Sequence, residues 1–452
     1  MSQRIMMGVA MILAAATGKA ESISVDSSKV YDIDEVVVVS QPKEAFRLRQ
    51  QPLSSTSFGN FEMNRLGARD LRELSLYIPN FVMPNYGSRL SSAVYVRGIG
   101  SRVNSPAIGV YVDGIPVMSK SAFNLHTYQL SRVDVLRGPQ GTLYGQNTEG
   151  GLVRLYSRNA FDYQGTDVRI GYGSRRYSNL EASHYQRLGD DVALMVGGFY
   201  NAQTGFFRNT TTGERADDYQ EAGGKLMLTG RLHSGWKVNV TADYQYVDQS
   251  AFPYGSLDLN TGKAEQPAST FPGSYRRNNL ITGLTLSYDA NTFSLASTTS
   301  YQYLKDHMCM DQDYLEADYM RMMQDQLQNA MTQEFSLKSR KPVGGVWHWA
   351  AGAFFSAQWL KTNGPVFFDS AMTTPIGNAI QQQMYGAMLQ AMAQRMMRPG
   401  MTHEQALALA AQMIERAGGV SMNVEMEPPE PTIHPSTTSA SIMRATSRSL
   451  PA

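Results

Sequence analysis

The sequence predicts a mainly β protein, with a small N-terminal α/β domain followed by an incomplete transmembrane antiparallel β-barrel. Three observations carry this expectation. Apolar and polar residues alternate with a period of two through the middle of the chain. The connections between the alternating segments come short and long in turn. No stretch approaches the roughly 18 consecutive apolar residues of a spanning helix, so a chain of this kind that crosses a bilayer crosses it as a barrel. Composition agrees. Charged residues make up 17% of the 452, below the soluble average of about 25%, alongside 24 Tyr and 39 Gly. Lys plus Arg number 40 and Asp plus Glu 39, so a net charge of +1 excludes a whole-chain basic field for nucleic acid. The single cysteine, Cys309, excludes an internal disulfide framework and a Cys-clustered zinc site.

The alternation is clearest at 236–246, WKVNVTADYQY. Trp236, Val238, Val240, Ala242, Tyr244 and Tyr246 share one face, and Lys237, Asn239, Thr241, Asp243 and Gln245 the other. Residues 347–359 repeat the pattern, with Trp347, Trp349, Ala351, Ala353, Phe355, Ala357 and Trp359 together and Phe354 as the exception on the polar face. Those 13 residues, at about 3.3 Å each and tilted near 40°, rise roughly 30 Å, which matches an outer-membrane crossing with Trp girdles at both ends. A soluble sandwich alternates too, but with strands of about five or six residues.

Nine strands are expected, near 167–173, 179–188, 191–203, 218–232, 236–249, 281–290, 292–306, 331–340 and 347–361. The connections around Gly189, His233–Gly235, Asp289–Asn291 and Pro342–Gly345 are tight. Those at 204–217, 250–280, 307–330 and from 362 onward are long, and the short connection near Arg175 breaks the order. Outer-membrane barrels sort their loops in this way, with short periplasmic turns and long extracellular loops.

At the N-terminus, Arg4 precedes the apolar run Ile5–Ala16 and the small residues Gly18 and Ala20. This reads as a secretory signal peptide over 1–20, cut near Ala20. Export, a lone cysteine and a β-rich composition place the protein in the envelope of a Gram-negative cell.

The segment 92–156 carries the most specific signal. It contains SAVYVRGIGS, AIGVYVDGIPV and VDVLRGPQGTLYGQNTEGGLVRLYS, short apolar strands that end in Gly-rich turns with Arg97, Asp113 and Arg137 at the strand tips. Gly98, Gly138 and Pro139 flank the two arginines. Glycine lets backbones approach closely, and the guanidinium forks beside it can bridge to carboxylates on a surrounding wall.

These motifs, with LRELSLYIPN at 71–80, resemble the plug domain of TonB-dependent outer-membrane transporters, and the resemblance extends over about 30–361. It implies a small α/β plug lodged inside a barrel of about 22 strands. It also implies that Arg97, Gly98, Arg137, Gly138 and Pro139 hold the plug against the barrel. Upstream, Asp34, Glu35, Val36, Val37, Val38, Val39 and Ser40 resemble the family's TonB box. Four consecutive β-branched residues favour an extended chain, which can add to the edge of a partner's sheet. Taken alone, the same run reads as a first strand of the plug. The expected organisation is a signal peptide (1–20), a periplasmic segment with the TonB box (21–45), the plug (46–160), the first barrel strands (161–361), a helical extracellular insertion (362–425) and an aberrant, disordered tail (426–452).

Other motifs are set aside. Asp306-His307-Met308-Cys309-Met310-Asp311, with Met320, Met322 and Met323 nearby, mixes soft and hard metal ligands, but 26 Met in the chain make a Met-rich loop ordinary usage. No metal site, cofactor or catalytic residue is assigned, and the sequence holds no G-x-S-x-G, P-loop or H-E-x-x-H. Residues Ile376–Met397 and His403–Ala417 read as two helices split by Arg398-Pro399-Gly400, with Thr402 and Gln405 as a capping box. Beyond Glu427 the alternation stops. Four prolines fall between there and Pro435, and about thirteen strands of the family barrel have no counterpart, so the sequence reads as a truncated or frameshifted form.

The resemblance implies a transporter rather than an enzyme. It would import a scarce nutrient, most often a ferric siderophore or other iron complex, with TonB of the inner membrane and outer-membrane lipid as its partners. Plug loops around Pro84–Arg89 and Ser119–Asn124 would face the substrate, with Tyr86, Arg89, Lys120 and Phe123 as contacts. A passive porin or surface adhesin on the same barrel is the alternative, and it has no use for a plug of this size.

Overall fold

The computed structural model describes residues 53–90, 93–101, 106–145, 147–317, 319–345, 347–368, 370–416, 433–434 and 439–443. The signal peptide, the segment Asp34–Ser40 and most of the tail lie outside them.

The N-terminal domain is built on a five-stranded sheet: β1 (Ser54–Gly59), β2 (Ile108–Val112), β3 (Ile115–Pro116), β4 (Leu130–Arg137) and β5 (Gly151–Ser157). The spatial order is β1-β4-β5-β2-β3, and β2 and β5 are the parallel pair. Every residue of Ile108–Val112 is buried, as a strand covered on both faces requires. The helix Asn60–Leu66 stops where Gly67 turns left-handed at φ 68°, and Asp70 caps the next helix, Leu71–Ser75, by accepting the Glu73 N–H at 2.8 Å. Leu71, Leu74, Val96, Val133 and Val153 form the domain core.

The remainder is an antiparallel meander of nine long strands, each paired with its sequence neighbour: β6 (Gly165–Gly173), β7 (Tyr177–Arg187), β8 (Val192–Gln203), β9 (Tyr219–Arg231), β10 (Trp236–Ser250), β11 (Ser274–Asp289), β12 (Phe293–Asp311), β13 (Met320–Ser339) and β14 (Ala350–Asn363). The sheet does not close on itself among the described residues. Its two faces differ as the alternation requires. Trp236, Val240 and Tyr244 of β10 are exposed, whereas Thr241, Gln245 and Val247 are buried. Phe355 and Trp359 of β14 are exposed and Phe354 is buried, which accounts for the one apolar residue on the polar face. That polar inner face receives the α/β domain. Ile281 of β11 and Leu304 of β12 are part of the domain's own core. A Cβ at Gly197 of β8 would lie 1.8 Å from the Gln129 amide nitrogen, and one at Gly283 of β11 would lie 2.2 Å from Ile115 Cδ1, so glycine stands where the domain presses on the wall.

Three boundaries differ from the sequence reading. Residues 307–330 are not a long loop: β12 runs to Asp311, β13 starts at Met320, and Met308↔Gln324, Cys309↔Met323 and Met310↔Met322 are paired across the two strands. Methionine on both faces hid the alternation there. Strand β11 begins at Ser274, so the preceding loop is shorter than expected. Within the tail expected to be disordered, Ile433–His434 and Ser439–Met443 lie antiparallel along β14, whose edge N–H and C=O groups would otherwise be unpaired. The helical insertion forms Ser370–Met396 and His403–Arg416, and the Thr402–Gln405 box is made at 3.1 and 3.3 Å.

Candidate functional site at the interface of the α/β domain and the wall

Charged side chains meet between the domain and β9 at two levels. At the upper level Arg89 is buried, with 7% of its surface exposed, and its fork is fully engaged. Nε donates to Glu221 Oε1 at 2.6 Å, Nη2 donates to Glu221 Oε2, and Nη1 donates to Asp70 Oδ2. This bidentate pairing fixes geometry as well as charge. Asn124 Nδ2 donates to Asp70 at 3.1 Å, and the Arg89 N–H donates to Gln249 Oε1 of β10 at 3.0 Å. His126 Nε2 sits 3.0 Å from Glu221 Oε2, and its ring lies 3.9 Å from that of Phe199 of β8. Asp70 therefore acts twice, capping a helix through one oxygen and holding Arg89 through the other.

At the lower level Asp113 occupies the turn after β2 with φ 52°. It accepts from the Ser157 N–H and hydroxyl, each at 2.7 Å, and from Lys225 Nζ of β9 at 3.0 Å. Asp243 of β10 lies 3.9 Å from the same ammonium. Farther round the wall, Arg277 of β11 donates to the Ser121 carbonyl at 2.7 Å, and Gln302 of β12 grips the Pro116 carbonyl and the Met118 N–H at 2.6 and 3.0 Å.

Burial pushes the Asp70 carboxyl up, but Arg89 and Arg72 outweigh it and leave the group below the usual carboxylate range. Burial and the adjacent Arg89 push His126 below its ordinary value, so the ring is neutral at neutral pH. Among the described residues no group of three or more His, Cys, Asp or Glu is placed to hold a metal ion, and His307 pairs with Asp325 at 2.8 Å.

Several residues sit elsewhere than the sequence reading put them. Arg97 and Arg137 do not touch the wall among the described residues. Arg97 is exposed in a turn at φ 52°, and Arg137 Nη1 donates to the Pro79 carbonyl at 2.9 Å. Gly98 (φ 80°) and Gly138 (φ 124°) make the same two turns, Gly138 with its missing Cβ 3.8 Å from Arg97 Nη1, and Pro139 is exposed. Arg89 faces Glu221 rather than solvent, so its charge is committed to the wall. Phe123 follows the turn Lys120–Ala122 directly into the core, with 2% exposure. Tyr86 and Lys120 are half-buried, and the Tyr86 carbonyl accepts the Tyr254 hydroxyl at 2.8 Å. Sequence reasoning missed Asp70, His126, Glu221 and Lys225. The available signal was the pair of charges at odd positions 221 and 225 in a strand whose odd face looks inward.

A profile of the TonB-dependent receptor plug domain matches residues 47–152, a range that holds β1 to β4 and the start of β5. The pesticin receptor of Yersinia pestis is 30% identical over 150 residues, 32% of this chain and 21% of that protein. The pesticin receptor of Yersinia enterocolitica is 33% identical over 108 residues, 24% of this chain and 16% of its own. The α/β domain of this chain is thus similar to the plug domain of TonB-dependent receptors. The likeness of its fold extends past the plug into the wall. The ferric yersiniabactin uptake receptor FyuA from Yersinia pestis superposes with a TM-score of 0.63 at 20% identity over 71% of this chain and 50% of its own. The ferric-catecholate import receptor Fiu from E. coli K12 does so at 0.58 and 16% over 72% and 49%. The chain spans about half the length of these solved receptors.

Removing one member of a buried ion pair strands the other, at a cost of about 3–5 kcal/mol, whereas replacing both by apolar residues of similar volume is close to neutral. Glu221→Leu alone is therefore expected to sensitise the plug to limited proteolysis, and Arg89→Leu with Glu221→Leu and Asp70→Asn, which leaves no member of the Asp70–Arg89–Glu221 network charged and keeps the helix cap, to restore most of the protection. Plug protection is also expected to fall with acid. The folded state holds His126 neutral where the unfolded chain binds a proton below about pH 6.5, and Asp70 ionised where the unfolded chain binds one below about pH 4. Both groups make stability fall as pH falls, the upper part of the window belonging to His126. His126→Asn should flatten the protection profile between about pH 6.5 and 5, and an unchanged slope would contradict the assignment.

Proposed function

We propose that the protein is a TonB-dependent outer-membrane transporter that imports a scarce nutrient, a ferric siderophore or other iron complex, and catalyses no reaction. The observation that carries this reading is the plug itself, an α/β domain pinned by buried ion pairs to the lumen face of a strand wall. A diffusion pore works best unobstructed, so the passive porin reading leaves this arrangement without a purpose. The relatives' names agree, being receptors for ferric yersiniabactin, ferric catecholates and pesticin. The chelate would enter from the face bearing the long connections, with Tyr86 and Lys120 as the plug contacts that keep accessible surface. Arg97 and Arg137, together with Gly98, Gly138 and Pro139, remain available to strands beyond the described wall.

Energy would enter through Asp34–Ser40, the TonB box, in a protein delivered to the outer membrane by a cleaved signal peptide. An extended segment added to the edge of TonB's sheet grips through the backbone, which suits a pulling contact. Val37→Pro removes a ladder donor within that grip. Binding of ferric chelate to whole cells is expected to be unchanged while energised uptake falls to background. Uptake that persists in this variant would contradict coupling through this segment, and growth indifferent to iron supply would contradict the iron reading.

A further inference from the structure

The segment 307–330 is mostly ladder, and the ladder sorts its sulfur by face. Gln312 and Met320 form a hydrogen-bonded pair, the Gln312 N–H donating to the Met320 carbonyl at 2.9 Å. The pairs two and four residues on, Met310↔Met322 and Met308↔Gln324, therefore lie on the same face of β12 and β13 and are of the same kind, with Cα atoms about 5.5 Å apart. This is the face of Gln302 and Leu304, which looks toward the plug. Cys309 and Met323 are paired on the opposite face, as are His307 and Asp325. Met308 is buried, and Met322 packs against its cluster beside Leu90 of the plug and Phe252. Met310, Met320 and Met322 are half-buried. All six side chains of these three rungs are uncharged.

Two of the sulfurs are turned to polar groups. The Tyr314 hydroxyl donates to Met310 Sδ at 3.2 Å, and Gln312 Nε2 donates to Met322 Sδ at 3.9 Å. A thioether is a weak acceptor, so packing alone does not call for these contacts, and each sulfur keeps a second lone pair. The loop that carries Tyr314 is tied in place. Asp311 Oδ1 accepts the Asp313 and Tyr314 N–H groups at 3.1 and 3.2 Å, Asp313 Oδ2 accepts those of Tyr319 and Met320, each at 3.0 Å, and the Tyr254 ring stands edge-on to Tyr314 at 5.0 Å.

We propose that Met310 and Met322, with Met308 as the third sulfur, bind one soft monovalent cation, Cu(I) or Ag(I), on the plug-facing side of the β12–β13 hairpin. Thioether sulfur is neutral and polarisable, and it selects Cu(I) over the hard cations that carboxylate, carbonyl and water suit. One rung puts two flexible thioethers side by side within reach of a common ion, and the neighbouring rung supplies the third. No charged side chain on these rungs opposes the cation. The ladder excludes the other soft and borderline ligands of the segment, since Cys309 and His307 point away from this face. The site needs neither chelate nor TonB and stands apart from the import reading.

Anaerobic titration of the full chain, purified from outer membranes, with Cu(I) and with Ag(I) tests this. X-ray absorption of protein loaded with its first equivalent of Cu(I) should show a shell of sulfur without nitrogen or oxygen. Met310→Leu with Met322→Leu conserves volume and removes both sulfurs of the central rung. It is expected to weaken Cu(I) binding by more than about tenfold, since even an outer partner is worth that much at a metal. Each single leucine variant is expected to weaken it in the same direction and reports even where the double variant fails to fold. Met323→Leu and Cys309→Ser change the opposite face and are expected to leave the affinity unchanged. Unaltered affinity in the Met310 and Met322 variants, loss of the ion in Cys309→Ser or Met323→Leu, or a shell of nitrogen or oxygen would each overturn the proposal.

Discussion

A strand with an apolar outward face and a polar face against protein has to carry two chemistries at a spacing of one residue, and the rest of this structure depends on that constraint. Each inner strand satisfies its backbone on its two neighbours and sends alternate side chains outward as hydrocarbon, the pattern a bilayer-facing strand needs. The residues between are then free to be polar. In β9 and β10 they are Glu221, Lys225, Asp243 and Gln245, and these make the surface on which a polar domain can dock.

The docking is specific because the charges are few and buried. Taking a carboxylate and a guanidinium out of water is costly, and their attraction offsets that cost only when the geometry is good and the remaining lone pairs are used. Arg89 meets the condition with Glu221 on one side and Asp70 on the other, and Asp70 is itself fixed by the helix it caps. Lys225 meets it through Asp113, held by Ser157 at the end of β5. Such contacts specify register between plug and wall more than they add stability. They can also be undone by protonation of a carboxylate.

Much of the wall was legible in the sequence, since a strand with one apolar face imposes alternation over ten or more residues and helices and loops do not. Where it failed, the reason is visible in particular residues. From Asp306 to Met323 the chain puts Met, Cys and Asp on both faces, so no period shows, yet the strands run on as ladder pairs. The plug was legible through its glycine turns, but the docking residues were not. Arg97 and Arg137 stand beside glycines and attract notice, while Asp70 looks like an ordinary helix cap and Arg89 like a loop cation. What distinguishes Arg89 is Glu221, 132 residues away, and no local pattern reports a partner at that distance.

Site-specific photo-crosslinking tests the central claim, that the plug docks on the inner face of β9, most directly. With a benzophenone amino acid in place of Glu221 in the outer membrane of living cells, irradiation should attach β9 to plug peptides containing Arg89 or His126. The same probe in place of Leu226, on the outer face, should attach to none. Capture of plug peptides from both positions, or from neither, would contradict the account.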